Sequence, residues 1–230
     1  MTYDLAMPLF SPRDLVLVAD DESFSRFMTE ELLERLGGPT VLSARSGEEA
    51  KSVLNCDVAG EVRLVLLDFN MPPPNGVEVL KAIRSSQLRV APDVVVMMVT
   101  GADALGLVAA TVALDADAFL AKPLSVAMLA DQLRAIAAEP RRILPPSHYA
   151  GIDVGGLRSR RRNLGEDTAV TALPLTQLRE GMVLAQDVLA PNGDLLVEAG
   201  RTVGVRMARL LRALKTAGVP LADVAVVAAS

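Results

Sequence analysis

The chain has 230 residues, 51% hydrophobic and 22% charged, with a formal net charge of −5, which argues against global disorder and leaves ample material for one large domain or two modest ones. Its one cysteine, Cys56, cannot close an internal disulfide, and its one histidine, His148, leaves no Cys/His set for a structural zinc, no Ser/His/Asp hydrolase and no His-rich metallophosphohydrolase. The first fourteen residues lack the basic start and apolar run of a signal peptide and any membrane-length stretch, so a cytoplasmic protein without membrane insertion is expected.

Between Leu15 and Ala138 short β-branched runs alternate with helical stretches, the pattern of a parallel sheet covered by helices on both faces. The predicted strands are Leu15–Ala19, Thr40–Ser43, Leu64–Leu67, Val94–Val99 and Ala118–Ala121. Each is short and mostly apolar, as befits strands buried on both sides. The predicted helices are Ser23–Leu36, Gly47–Asn55, Val77–Ser86, Ala104–Leu114 and Val126–Ala138. Ser46 is placed to cap the second helix, with Glu49 three residues on, and Gly37-Gly38-Pro39 stops the first.

From Glu139 to Val170 the chain turns to prolines, glycines and the cluster Arg158, Arg160, Arg161 and Arg162, which reads as a linker or partly ordered bridge. The predicted organisation is an extension over 1–14, a first domain over 15–138, a linker over 139–170 and a small β/α unit over 171–230. Charge follows it: residues 1–140 carry 11 basic against 20 acidic side chains, a net of −9, whereas residues 141–170 carry 6 against 3. In the last unit, Met182–Leu189 and Leu195–Val197 read as strands around an Asn-Gly turn at Asn192-Gly193. A helix over Val205–Ala217 follows, apolar at Met207, Leu210, Leu211 and Leu214 and basic at Arg206, Arg209, Arg212 and Lys215. Ala222–Val227 would be the closing strand. A β-rich α+β unit this small needs something to pack on, either the rest of the chain or a second copy.

In a parallel α/β sheet, ligands bind at the C-terminal ends of the strands. There the sequence sets Asp20-Asp21 after the first strand, Asp68 at the end of the third, Thr100 after the fourth and Lys122-Pro123 after the fifth. Three carboxylates so placed repel one another and call for a cation, and an all-oxygen set suits Mg²⁺. Asp21 and Asp68 are the expected direct ligands, with Asp20 acting mainly through a bound water. A carboxylate beside a divalent cation, a lysine and a hydroxyl is suited to accept a phosphoryl group, since that transfer depends on positioning and charge neutralisation. Asp68 is the candidate nucleophile, with Thr100 and Lys122 on the remaining phosphoryl oxygens.

The runs Val16-Leu17-Val18-Ala19-Asp20-Asp21-Glu22 and Leu66-Leu67-Asp68-Phe69-Asn70-Met71-Pro72, the step Val99-Thr100-Gly101 and the run Phe119-Leu120-Ala121-Lys122-Pro123 together resemble the receiver domain of two-component response regulators over residues 15–138. The resemblance implies a flavodoxin-like five-stranded parallel sheet, Mg²⁺ as cofactor, and a sensor histidine kinase or phosphotransfer protein as phosphodonor. It also implies that the Asn70 main-chain carbonyl joins the metal ligands, that the peptide before Pro123 is cis, and that Thr100 and Phe119 move on phosphorylation. That motion would remodel the face of the fourth helix, fifth strand and fifth helix, through which a homodimer could form. Gly101 stands where many receivers have Ala and Phe119 where many have Tyr, so the switch lacks a hydroxyl. Such a chain is a phospho-accepting signalling protein and not an enzyme acting on a separate substrate.

The C-terminal run Leu178–Val188 with Asn192–Gly200 resembles the small β-rich module that accompanies HD-type phosphohydrolase domains, although no His-Asp pair occurs in this chain. The expected output is protein interaction or altered self-association. A DNA-binding regulator using the basic helix is the alternative, weakened by the absence of a helix-turn-helix pair, and an allosteric partner of a second-messenger enzyme is another. For Phe119 plain core packing competes with a switching role. His148 reads as a surface residue, Cys56 as a small buried or helix-end thiol, the Arg158–Arg162 cluster as solvated charge rather than a ligand site, and the basic stripe of the last helix as a solvent-facing surface.

Overall fold

The computed structural model describes residues 10, 13–101, 108–138, 143–152, 154, 170–189, 193, 195–216 and 220–227. Five parallel strands, β1 (Leu15–Ala19), β2 (Thr40–Ala44), β3 (Val62–Asp68), β4 (Val95–Thr100) and β5 (Ala118–Ala121), form one sheet in the order β2-β1-β3-β4-β5. The interior strands are runs of Val, Leu and Met buried almost end to end, because helices cover both faces, whereas β2 lies at an edge and leaves Thr40 and Ser43 exposed. The predicted strands match to within two residues at each end. The sheet, its helices and its flavodoxin-like order are as expected.

Helices α1 (Ser23–Arg35), α2 (Gly47–Val53), α3 (Gly76–Arg84), α4 (Val108–Ala113) and α5 (Val126–Ala137) alternate with the strands. Their starts are set by side chains: Ser46 accepts from the Glu49 amide at 3.1 Å, Ser125 from the Met128 amide at 3.2 Å, and Asn75 and Glu78 form a reciprocal capping box at α3. Glu49 itself reaches one residue past its cap, to the Arg45 amide, a bond that holds its carboxyl below the usual range. At the end of α1, Gly37 and Gly38 take φ of 133° and 62°, a turn that side chains with a Cβ resist. Residues 104–107 of the predicted fourth helix lie outside the described residues.

Two apolar layers flank the sheet. One joins Val16, Val18, Leu64, Leu66, Met97 and Leu120 to Leu33 of α1 and Leu129 and Leu133 of α5. The other joins Leu17, Val65, Leu67, Val96 and Met98 to α2, α3 and α4, and it does not stop at the receiver-like domain. It continues without a break into Leu175, Leu184, Leu196, Val203, Leu210, Leu211, Leu214 and Val226 of the C-terminal unit.

That unit holds β6 (Val170–Leu173) antiparallel to β9 (Val224–Val227), a hairpin of β7 (Val188–Leu189) and β8 (Leu195–Val197), and α7 (Val205–Thr216). The continuous strand expected over Met182–Leu189 is corrected. Only Val188 and Leu189 form a ladder, while Val183 bridges Thr202 and Leu184 bridges Val226, so the segment is shared among three partners. The carboxylate of Asp187 accepts from the Ala199 amide at 2.8 Å and helps fix the bend. The closing strand starts at Val224 rather than Ala222. Pro191, Asn192 and Asp194 of the predicted turn, and Arg158–Arg162, lie outside the described residues.

Within the segment expected to be a linker, Pro146–Ala150 forms a short helix, α6, packed on α3. Tyr149 is fully buried there, and its hydroxyl donates to Asp115 Oδ2 at 2.8 Å and accepts from the Leu144 amide at 2.8 Å. Lys81 of α3 donates to the Ile152 carbonyl at 2.6 Å. His148 is exposed, as read, with its ring edge-on to Tyr149. Cys56 is exposed, which removes the reading of it as a buried residue, and its thiol donates to the Val53 carbonyl at the end of α2.

Candidate acidic phosphoacceptor site

Four of the five strands, β1, β3, β4 and β5, deliver a piece of the site at their C-terminal ends. Asp20 directly follows β1, Asp68 ends β3 and Thr100 ends β4, and all three side chains are buried, while Asp21 is exposed at the mouth. Lys122, directly after β5, reaches back so that its ammonium lies 2.8 Å from Asp20 Oδ2 and 3.1 Å from Asp68 Oδ1. Its amide donates to the Thr100 carbonyl at 2.7 Å, tying the ends of β4 and β5 together, and the Lys122-Pro123 peptide is cis as expected.

Asp20 is the most heavily held group. Its carboxylate accepts from the Glu22 amide at 2.9 Å and from the Ser25 hydroxyl at 2.6 Å besides Lys122, and its carbonyl accepts from Arg26 at 2.7 Å. Ser25 and Arg26 were not singled out from sequence; their signal is position, since the first turn of α1 stands directly above the β1 loop. With both oxygens so engaged, Asp20 is better disposed to orient a water than to bind an ion directly. Gly76, at the start of α3, is a second missed support: a Cβ there would run into the Asp68 carbonyl oxygen.

The electrostatics are those of an acidic site with too few cations. Burial pushes the Asp68 carboxyl above its usual range, and the neighbouring Asp20 charge adds to this, outweighing the pull of Lys122. Burial works against the Lys122 ammonium as well, but the bonds to Asp20 and Asp68 more than offset it and raise its pKa. One oxygen each of Asp20, Asp21 and Asp68 lies within 4.8 Å of the others. Three hard carboxylates so close, with one ammonium between them, fit a hard divalent cation such as Mg²⁺.

Thr100 points its hydroxyl at the Gly101 carbonyl, 2.8 Å away. Phe119 is buried, and its ring stands edge-on to that of Phe69, centroids 6.1 Å apart. Phe69 follows Asp68 directly, so Asp68 is linked to β5 through two rings. Asn70 is exposed beside them.

The last helix corrects the expectation of a solvated basic face. Arg206 donates to the Asp115 carbonyl at 3.0 Å and Arg209 to the Asp117 carbonyl at 2.9 Å, both in the turn between α4 and β5. Only Arg212 and Lys215 of that stripe are exposed. The physical reason is the acidic turn itself, whose carbonyls and carboxylates supply anionic partners that helical spacing alone does not reveal.

The family profile of the response regulator receiver domain matches residues 16–134. A sensory/regulatory protein, RpfC of Xanthomonas campestris, is 33% identical over 135 residues, which are 57% of this chain and 18% of that protein. The phosphate regulon transcriptional regulatory protein PhoB of Pseudomonas aeruginosa is 28% identical over 211 residues, 86% of this chain and 88% of that one. A solved response regulator receiver domain protein from Clostridium thermocellum is 26% identical, with a TM-score of 0.47, over 54% of this chain and 93% of that chain. The chain thus spans less than a fifth of the length of the first of these relatives.

Proposed function

The chain belongs to the response regulator receiver domain family, and from that premise we propose that Asp68 is its phosphoacceptor, served by Thr100, Lys122 and a Mg²⁺ ion. The observation that carries this is the pairing of Asp68 with Lys122 in a carboxylate cluster that is buried at Asp20 and Asp68 and open at Asp21. A carboxylate oxygen of Asp68 attacks phosphorus of a phosphohistidine on a kinase or phosphotransfer protein. The P–N bond breaks, its electron pair leaves with the imidazole, which takes up a proton from solvent, and an acyl phosphate remains on Asp68.

Asp20, Asp21, Asp68 and the Asn70 main-chain carbonyl are the residues that would hold Mg²⁺, which supplies positive charge for the phosphoryl oxygens. Lys122 neutralises a further share, and the Thr100 hydroxyl, now on the Gly101 carbonyl, is near enough in the strand order to turn toward the new anion. Beside the site, Phe24, Phe27 and Met28 are exposed along one face of α1. An apolar stripe next to the acceptor suits a phosphodonor that presents an apolar helix together with its phosphohistidine.

Incubation with phosphoramidate and Mg²⁺ should add one phosphoryl group by intact-mass spectrometry in the wild type and none in Asp68→Asn. An equal adduct in both would remove Asp68 from the role. The output is read as protein interaction or altered self-association. DNA binding through α7 is the lesser reading, because Arg206 and Arg209 bond to the receiver and so cannot lie along phosphates while docked. Among the described residues, no helix is long and apolar enough to cross a membrane.

A further inference from the structure

β2 contributes no residue to the acidic cluster, yet the turn that follows it reaches the site by another route. Helix α2 begins at Gly47, which is buried. A Cβ there would run into the carbonyl oxygen of Pro74 and stand 2.8 Å from its carbonyl carbon. Gly47 takes no positive φ, and alanine is the better helix former, so what glycine gives this position is close approach. At the opposite end of the same loop, Gly76 stands against the Asp68 carbonyl oxygen in the same way. The segment Phe69–Asn75 is therefore gripped by two helix starts, by α3 at Asp68 and by α2 at Pro74.

Between these points the loop has little freedom. Phe69 and Met71 are buried in the apolar layer that also holds Ala50 and Leu54 of α2, and the Phe69 amide donates to the Val99 carbonyl at 2.9 Å. Pro72, Pro73 and Pro74 follow, each with φ fixed by its ring. Three prolines in a row leave few soft torsions, so a displacement of Pro74 is carried along the run toward Asn70 instead of being absorbed. The turn that bears on Pro74 is itself fixed: Ser46 Oγ accepts from the Glu49 amide at 3.1 Å, and the Glu49 carboxylate accepts from the Arg45 amide at 2.9 Å. One residue before Arg45, the Ala44 carbonyl accepts from the Asp20 amide at 3.0 Å, which registers this turn against the first carboxylate as well.

We propose that Gly47 is a positioning residue of the metal site: it lets the first turn of α2 seat against the Pro74 carbonyl and so sets, through the proline run, where the Asn70 main-chain carbonyl stands for a divalent cation. The proposal rests on the reading of Asp20, Asp21, Asp68 and the Asn70 carbonyl as the residues that would hold Mg²⁺. Gly47 lies at the far end of the loop from Asp68, so a side chain there disturbs the metal-ligating carbonyl and spares the nucleophile. A side chain at Gly76 meets Asp68 directly and disturbs both.

The test is Mg²⁺ binding by calorimetry on the full chain, beside the phosphoramidate reaction at increasing Mg²⁺. Gly47→Ala should weaken Mg²⁺ binding roughly tenfold, as loss of a group that orients a metal ligand does, and its slowed reaction should be recovered as Mg²⁺ is raised. Ser46→Ala removes the cap and loosens the same turn without placing an atom on Pro74. It should lower the melting temperature and leave Mg²⁺ affinity unchanged. Unaltered Mg²⁺ affinity in Gly47→Ala, or an equal loss in Ser46→Ala, would overturn the proposal, as would a slowed reaction that Mg²⁺ does not restore. If Gly47→Ala does not fold, the wild type decides. There Mg²⁺ should slow, several-fold, hydrogen exchange of the Ala50 amide, which is bonded across the turn to the Ser46 carbonyl at 2.9 Å, and an unchanged rate with Mg²⁺ bound would overturn the coupling. Should Mg²⁺ not bind the wild type at all, the reading of the metal site itself fails and takes the role of Gly47 with it.

Discussion

The receiver has a charged cluster at each end of its sheet, and the two are built to opposite purposes. At the C-terminal ends of the strands, Asp20 and Asp68 share the ammonium of Lys122, with the Asp21 carboxylate beside them. At the other end, Asp115 and Asp117 are met by the guanidinium groups of Arg84, Arg201, Arg206 and Arg209. A cluster short of positive charge is poised to take in a cation and exchange a phosphoryl group, and it tolerates some instability to do so. A cluster rich in guanidinium, bonded mostly to fixed carbonyls, holds elements together. The same residue types thus do chemistry in one place and construction in the other, and the balance of sign tells them apart.

The sharpest way to break this comparison is to remove one cation from each end. Arg84 and Asp117 are both essentially unexposed, so Arg84→Met takes the nearest cation from a buried carboxylate, leaving it the Val96 amide and Arg206 at 3.8 Å, and should cost about 3–5 kcal/mol in urea unfolding, with no relief from Mg²⁺. Lys122→Met should cost less, roughly 1–3 kcal/mol, and Mg²⁺ should restore most of it. Equal losses, or a Mg²⁺ response in the Arg84 variant, would abolish the distinction.

Alkali probes the constructional end alone. Burial, reinforced by the Asp115 charge, raises the Tyr149 hydroxyl from 10.0 to about 12. The folded state therefore prefers the protonated phenol. Its contribution is complete below the unfolded pKa and is lost as pH climbs from about 10 through about 12, amounting to roughly 2–3 kcal/mol. Tyr149→Phe should flatten that alkaline limb in denaturation curves without altering phosphorylation.

Gly76→Ala drives a methyl into the Asp68 carbonyl and should cost roughly 1–3 kcal/mol while slowing the phosphoramidate reaction, since α3 and the acceptor loop must shift together. The smallest effect is expected at Asp21, which is exposed. Asp21→Asn should move stability by no more than about 0.5 kcal/mol in metal-free buffer yet weaken Mg²⁺ binding measured by calorimetry.

The contrast also accounts for what could be read in advance. The acceptor end is legible because each βα unit is local: an apolar run specifies a strand, a capping residue such as Ser46 or Ser125 starts the next helix, and the polar residue between them must fall at one edge of the sheet. Asp20, Asp68, Thr100 and Lys122 follow from that rule and from the family's motifs. The guanidinium-rich end is not local. Arg84 lies 33 residues from Asp117 and Arg206 lies 91 from Asp115, and neither separation leaves a periodic trace. Arg84 falls among the apolar positions of α3, and Tyr149 falls among prolines and glycines that suggest a bare tether. Even Ser25 and Arg26, close in sequence to Asp20, become visible only once α1 is seen to stand over the first loop.

The uncharged surface of α4 has a consequence for modularity. Receivers invite exchange between proteins, yet cutting this one after residue 138 would lay bare the partners of Leu196, Val203 and Leu211 in a shared apolar layer. An excised fragment should self-associate or precipitate, and a chimera that grafts another output onto it would need to carry β8 and α7 along.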